Sequence, residues 1–428
     1  MVIATFAGGF FMALVHTVAR KMGNDYGSFV LLLRLLIIMG VPFAALQTIV
    51  ARQTAAATDE MHEQQLVATT RALLLTTFLV WVFYAIALLT FAGPLSNLLR
   101  ISSRASLYVT LMVALTGLWI PIFKGLLQGR HQFGGLGWLQ VTDGVGRFAI
   151  MLVIVGALHG KVAGAMCATF AGQLVTAIIG GSLTWTIWTT RPRVAFDWRG
   201  CFSVAIPLSF GLGTILLMSS IDMLFVKSLF EEAQVTLYSG AMLTGFAIIQ
   251  FIAPVALVMF ARVTQSVARK ENSDSLRMTL MATILFGCVA AVGCTLLPQL
   301  PLRLMYFTNP EMWKAAPLVP WFAWALLPLT VANVLVQDIL ARAQFKAVPW
   351  LLLVPVAYAT ALGFQAAALM RMPRFDAFVR VIQTMGLAST LLCLLAAYFC
   401  RRRPEATVSD RDSGAARAVS HTASSPME

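Results

Sequence analysis

Long apolar runs alternate with short polar connections along almost the whole chain. Runs of membrane-spanning length occupy 1–19, 28–50, 72–93, 105–123, 135–158, 162–188, 201–226, 235–260, 278–300, 315–337, 347–370 and 378–400. A helix needs about 20 residues to cross roughly 30 Å of hydrocarbon, and where there is no water only intrahelical bonding satisfies the backbone. The pattern therefore predicts an all-α integral membrane protein of about twelve transmembrane helices. The first run has no positive leader and no clear small-x-small cleavage site, and a second run follows soon after it. It reads as an uncleaved first helix, or as one whose start is placed slightly late.

The same pattern predicts four regions: an N-terminal six-helix lobe over 1–190, a cytoplasmic linker over 191–200, a C-terminal six-helix lobe over 201–400 and a tail over 401–428. Ser, Ala and Arg dominate the tail, which has almost no large apolar residue from which to build a core, so it is expected to be disordered.

The two lobes are legible as an internal repeat. Tyr26 and Pro42 recur as Tyr238 and Pro254, and Arg130, Gln132 and Phe133 recur as Arg342, Gln344 and Phe345, all displaced by 212 residues. Ala51 and Arg52 have counterparts in Ala261 and Arg262 at a slightly shorter displacement. Six helices per half bring both halves into the membrane from the same side, which gives a parallel repeat about an axis along the membrane normal. Two such bundles around a central cavity suit a transporter that exposes one site to each face in turn.

Composition agrees. Only 11% of residues are charged and 59% are hydrophobic, against about 25% charged in a soluble domain. The net charge of +13 does not point to nucleic acid, because the basic residues sit singly between apolar runs rather than on one face. The larger share of Lys and Arg lies on the connections that a cytoplasmic N-terminus would place inside, which predicts both termini in the cytoplasm. The six cysteines lie in or beside apolar segments without CxxC spacing, and the five histidines are scattered. No metal-ligand pattern is present, and no cofactor is expected beyond a coupling proton or sodium ion.

Four stretches carry a family resemblance: ARKMGNDYGSF at 19–29, PFAALQTIVAR at 42–52, KGLLQGRHQFGGLGW at 124–138 and SSIDMLFVKSLFEEAQVTLYSGA at 219–241. With them the chain resembles the polysaccharide flippases of the multidrug/oligosaccharidyl-lipid/polysaccharide (MOP) exporter superfamily, over essentially its whole length. The resemblance implies a V-shaped pair of six-helix lobes around a cationic cavity in a bacterial inner membrane. It also implies movement of undecaprenyl-diphosphate-linked oligosaccharide, an O-antigen or exopolysaccharide unit, from the cytoplasmic to the periplasmic leaflet. Expected partners are that lipid-linked oligosaccharide, membrane lipids and other polysaccharide assembly proteins.

A charge inside a membrane span is costly and marks a partner or a wet cavity. Arg34, Asp143 and Arg147 are the three deep ones. Arg34 and Arg147 are candidate substrate-binding cations, since a guanidinium matches phosphate oxygens and keeps its charge. The competing reading for Arg147 is a locking pair with Asp143 at i, i+4. Asp143 is also a candidate ion-coupling residue. Shifted by 212, these three positions fall on Phe246, Pro355 and Ala359, so the second lobe is expected to supply mainly apolar and uncharged surface. Arg52, Arg130, Arg262 and Arg342 at inner helix ends are structural or gate motif residues, as is Asp222, which with Lys227 is expected to reach water or headgroups. The alternative functions are a cation-coupled multidrug or small-molecule exporter of the same superfamily and, in another class, a membrane glycan polymerase or transferase. The enzyme reading needs a long outer loop with catalytic acids or bases, and none is present, so a non-enzymatic transporter is expected.

Overall fold

The computed structural model describes residues 2–57, 59–101, 103–246, 275–307 and 309–401. The expected tail beyond residue 401, Pro254 and Arg262 lie outside the described residues. Helix α1 (Val2–Ala19) ends in a tight turn over Arg20–Asp25, where Gly23 takes φ 66° and ψ −129°. Few side chains tolerate that backbone, so glycine is what lets the chain reverse there. The second apolar run is not one helix. It is α2 (Tyr26–Gly40) and α3 (Leu46–Ala56), joined by a bend over Val41–Phe43 at Pro42, whose missing N–H interrupts the helical ladder.

Helix α4 (Glu60–Leu98) is far longer than its apolar run, because polar turns continue it beyond the hydrocarbon. Asp59 caps its first turn by accepting a hydrogen bond from the His62 backbone N–H at 2.8 Å. The same N–H and the His62 ring hold the Asp59 carboxyl below the usual carboxylate range. Then follow α5 (Arg104–Gly129), α6 (Phe133–Met151) with a widened last turn over Leu152–Ala157, α7 (Val162–Leu183) and the short α8 (Trp185–Thr189).

In the second half, α9 (Trp198–Met218) and α10 (Ile221–Leu229) share the seventh run and break at Ser219 and Ser220. Helix α11 covers 232–246, after which come α12 (Ser275–Leu296), α13 (Gln299–Met305), a tight turn over Pro310–Leu318, α14 (Val319–Ala341), α15 (Val348–Leu369) and α16 (Arg374–Arg401). Among the described residues ten helical segments are long and apolar enough to cross a membrane. The first of them is folded in two at Gly23, and α11 opens one more, which gives about twelve.

Each half packs mainly on itself: α1 on α6, and α5 on α3, α4 and α7, in the first, and α14 on α12 and α16, with α15 on α9 and α16, in the second. The halves meet where α2 and its bend lie against α9 and α10. Helix α11 also touches α2 and the turn before it, through residues that are repeat mates. Thr236 Oγ1 donates to the Asn24 carbonyl at 2.9 Å across a separation of 212 residues, and Arg34 Cζ lies 4.2 Å from the Phe246 ring centre at the same displacement. Repeat mates can touch only beside the axis that relates them, so the pseudo-twofold runs between α2 and α11.

Candidate functional site

Arg34 sits on α2, 6% exposed. Its guanidinium rests on the Phe246 ring of the other half and makes no hydrogen bond or ion pair with the described residues. Cation–π contact engages the flat face of a guanidinium and leaves the N–H edge unspent. Asp222 of α10 and His16 of α1 are within electrostatic reach. Asp222 is fully buried, and its Oδ2 accepts from the Tyr238 hydroxyl at 2.9 Å while its Oδ1 has no partner.

Arg147 on α6 is engaged differently. Its Nε and Nη2 donate to Asp143 Oδ1 and Oδ2 at 2.7 and 3.0 Å, a bidentate pair one helical turn apart. With the Gln173 amide oriented to satisfy both its ends, the amide oxygen accepts from Arg147 Nη2 at 2.7 Å and the nitrogen donates to the Val113 carbonyl and Thr116 Oγ1 at 3.0 and 2.8 Å. Nearby, Lys124 Nζ donates to Gln140 Oε1 at 3.1 Å. These groups bind α5, α6 and α7 together inside the first half.

One end of the interface between the halves is sealed. Thr17 Oγ1 donates to the Met305 carbonyl at 2.6 Å, the hydroxyls of Tyr26 and Tyr306 are 2.9 Å apart, and Ser28 Oγ donates to Glu232 Oε1 at 3.2 Å. Tyr26 also meets His16 Nδ1 at 3.3 Å. The fully buried Lys227 holds Glu232 at 2.7 Å. At Gly27 any Cβ would stand 2.9 Å from Val235 Cγ1, so the bare backbone is what lets α2 close on α11.

A family model described as "Polysaccharide biosynthesis protein" matches residues 26–267. This chain belongs to that family. Three solved structures share its fold at 12% identity. One is a MOP superfamily transporter from Pyrococcus furiosus whose binding pocket has reverse polarity, suggesting a different function (TM-score 0.70, covering 93% of each chain). The others are a multidrug resistance MATE family transporter in its inward-facing conformation (TM-score 0.67, covering 94% of each chain) and one in its outward-facing conformation (TM-score 0.66, covering 94% of this chain and 96% of that one). No curated protein sequence matches the chain.

The remaining motif residues of this polysaccharide biosynthesis family member fall into separate places. Arg130 pairs with Glu63 at 3.0 Å, whereas its repeat mate Arg342 pairs with Asp338 one turn back on α14 at 2.9 Å. Arg52 is exposed and lines a cavity at the end of the molecule away from the seal. Two expectations are corrected. Asp222 and Lys227 do not reach water or headgroups: both are 0% exposed, because α10 is covered by α2, α15 and α16. Nor is the second half free of deep charge, since Asp222, Lys227 and Asp338 are all buried there. Their signal was present in the sequence as i, i+4 and i, i+5 spacing to partners, Asp338 to Arg342 and Lys227 to Glu232, but proximity to helix ends masked it.

Proposed function

We propose that this MOP transporter flips a diphosphate-linked oligosaccharide lipid between leaflets by alternating access, and that Arg34 receives the diphosphate. The observation that carries this is the state of Arg34: a permanently charged group deep between two lobes, steadied on one face by Phe246 and making no hydrogen bond or ion pair with the described residues. A guanidinium buried in a membrane span is costly, and an anionic cargo group lowers that cost when it binds. Arg147, already saturated by Asp143 and Gln173, holds α6 and α7 in place and lends positive potential to the same region. The sealed end is the periplasmic one if the termini are cytoplasmic, so cargo is loaded from the cytoplasmic leaflet. For ion coupling, Asp222 is favoured over Asp143, because one Asp222 oxygen is open while both Asp143 oxygens are occupied.

The test is depletion in cells that make a surface glycan, followed by a leaflet-specific assay of lipid-linked sugar. Accumulation in the cytoplasmic leaflet supports flipping; an unchanged distribution sinks it. Efflux of a cationic dye by the purified transporter would favour the drug-exporter alternative, since a buried arginine repels such cargo.

A further inference from the structure

A cavity of about 450 Å³ opens at the end away from the seal, and nothing in the transport path described so far uses it. Its walls come from both halves: Arg52 and Gln53 on α3 and Gln65 on α4 in the first, and Cys201 and Val204 on α9 in the second, with His62, Phe196 and Asp197 beside them. The strap between the halves is pinned over α4. The Arg193 backbone N–H donates to Gln64 Oε1 at 3.1 Å, Arg71 Nη1 donates to the Thr190 carbonyl at 3.1 Å, and Arg193 lies 3.6 Å from Glu60.

The lining has the chemistry of a polyol reader. Two carboxamides, an imidazole and a carboxylate offer donors and acceptors in mixed order, as neighbouring hydroxyls require. Phe196 packs edge-on against Trp198, and Trp198 stacks on Phe202 at 5.5 Å and 19°, so an aromatic run reaches the cavity and offers a flat face to the C–H side of a sugar ring. Gln53 Oε1 is buried and accepts no hydrogen bond from the described residues, which is an acceptor waiting for a donor. A phosphate site is disfavoured, because among the described residues Arg52 is the one lysine or arginine lining the cavity and Asp197 opposes an anion.

We propose that this cavity is a carbohydrate-reading vestibule, where the glycan of a lipid-linked oligosaccharide is bound through Gln53, Gln65, His62 and Asp197 before its diphosphate reaches Arg34. It rests on the flippase reading. Gln53 follows Arg34 by at most about 28 Å along the bent α2–α3 span at about 1.5 Å per residue. The two stations therefore read different parts of one extended cargo. Because its two walls belong to different halves, rocking of the lobes would dismantle the vestibule and release the sugar inward.

The test places a benzoylphenylalanine photocrosslinker at position 65 or at position 246 of the full-length protein, in cells producing the glycan. Adducts are analysed by mass spectrometry for sugar fragments. Glycan adducts at both positions support the vestibule, and Gln53→Leu is then expected to lower the position-65 adduct about five- to tenfold. Only phospholipid, or no adduct, at 65 with glycan at 246 overturns the vestibule and leaves flipping intact. No glycan at either position defeats both. Glycan at 65 alone keeps the vestibule and removes Arg34 from the path.

Discussion

Two arginines of the first half, Arg147 inside its own lobe and Arg34 on the line between the lobes, are equally buried yet live in opposite electrostatic regimes. Arg147 has its countercharge one helical turn away on its own helix and an amide from α7. Nothing that the lobes do relative to each other alters that arrangement. Arg34 depends on the other lobe for both its aromatic rest and the Asp222 carboxylate that acts on it. Its environment changes whenever the lobes part, so it is the one suited to sense cargo and motion together. A repeat generates this difference: at the axis equivalent positions face each other, and an arginine opposite a phenylalanine makes the site one-sided.

The largest effect should come from removing the countercharge inside the lobe. Asp143→Ala leaves a buried guanidinium uncompensated and is expected to cost about 3–5 kcal/mol, read as a lower thermal midpoint in detergent. The double variant Asp143→Leu with Arg147→Met should recover most of it, and a single variant as stable as the parent would erase the contrast. Next, Arg34→Ala is expected to leave the thermal midpoint nearly unchanged while weakening glycan export on the order of ten- to a hundredfold, the loss of a charge-assisted contact to phosphate. Retained export at normal abundance removes Arg34 from the site.

A smaller effect is expected from Phe246→Leu. Loss of the cation–π rest is worth about 0.5–2 kcal/mol, and it should raise the cargo concentration needed for half-maximal export without abolishing it. Identical export kinetics would mean that Phe246 does not steady Arg34. Tyr26→Phe should have the least effect, removing hydroxyl contacts to Tyr306 and His16 worth about 1 kcal/mol. Here a cysteine placed on the seal should become more accessible to a membrane-impermeant thiol reagent, and unchanged labelling would show that the tyrosine pair does not hold that end shut.

Much of the fold was readable without coordinates, because membrane crossing forces a fixed length of apolar sequence and because Tyr, Arg, Gln and Phe recurring at one displacement is hard to produce otherwise. Even so, the apolar runs concealed the break at Pro42, the break at Ser219 and Ser220, and the polar extension of α4. The pattern counts apolar residues, whereas backbone bonding decides where a helix continues. Candidate cations were legible as lone arginines in apolar surroundings, and Asp143 with Arg147 as a spacing. Burial of Lys227 and Asp222 was not legible, since a residue near a helix end looks wet until a neighbouring helix covers it.

The sequence alone thus determined the solvent, the approximate number of crossings, the twofold repeat and which charges are out of place in lipid, all consequences of local composition and periodicity. Only the tertiary structure decided which of those charges are paired, that α2 meets α11 at the axis, which end of the interface is closed and where a cavity remains. Those are matters of which side chains converge from distant helices, and a one-dimensional pattern carries no record of the convergence until the helices are packed.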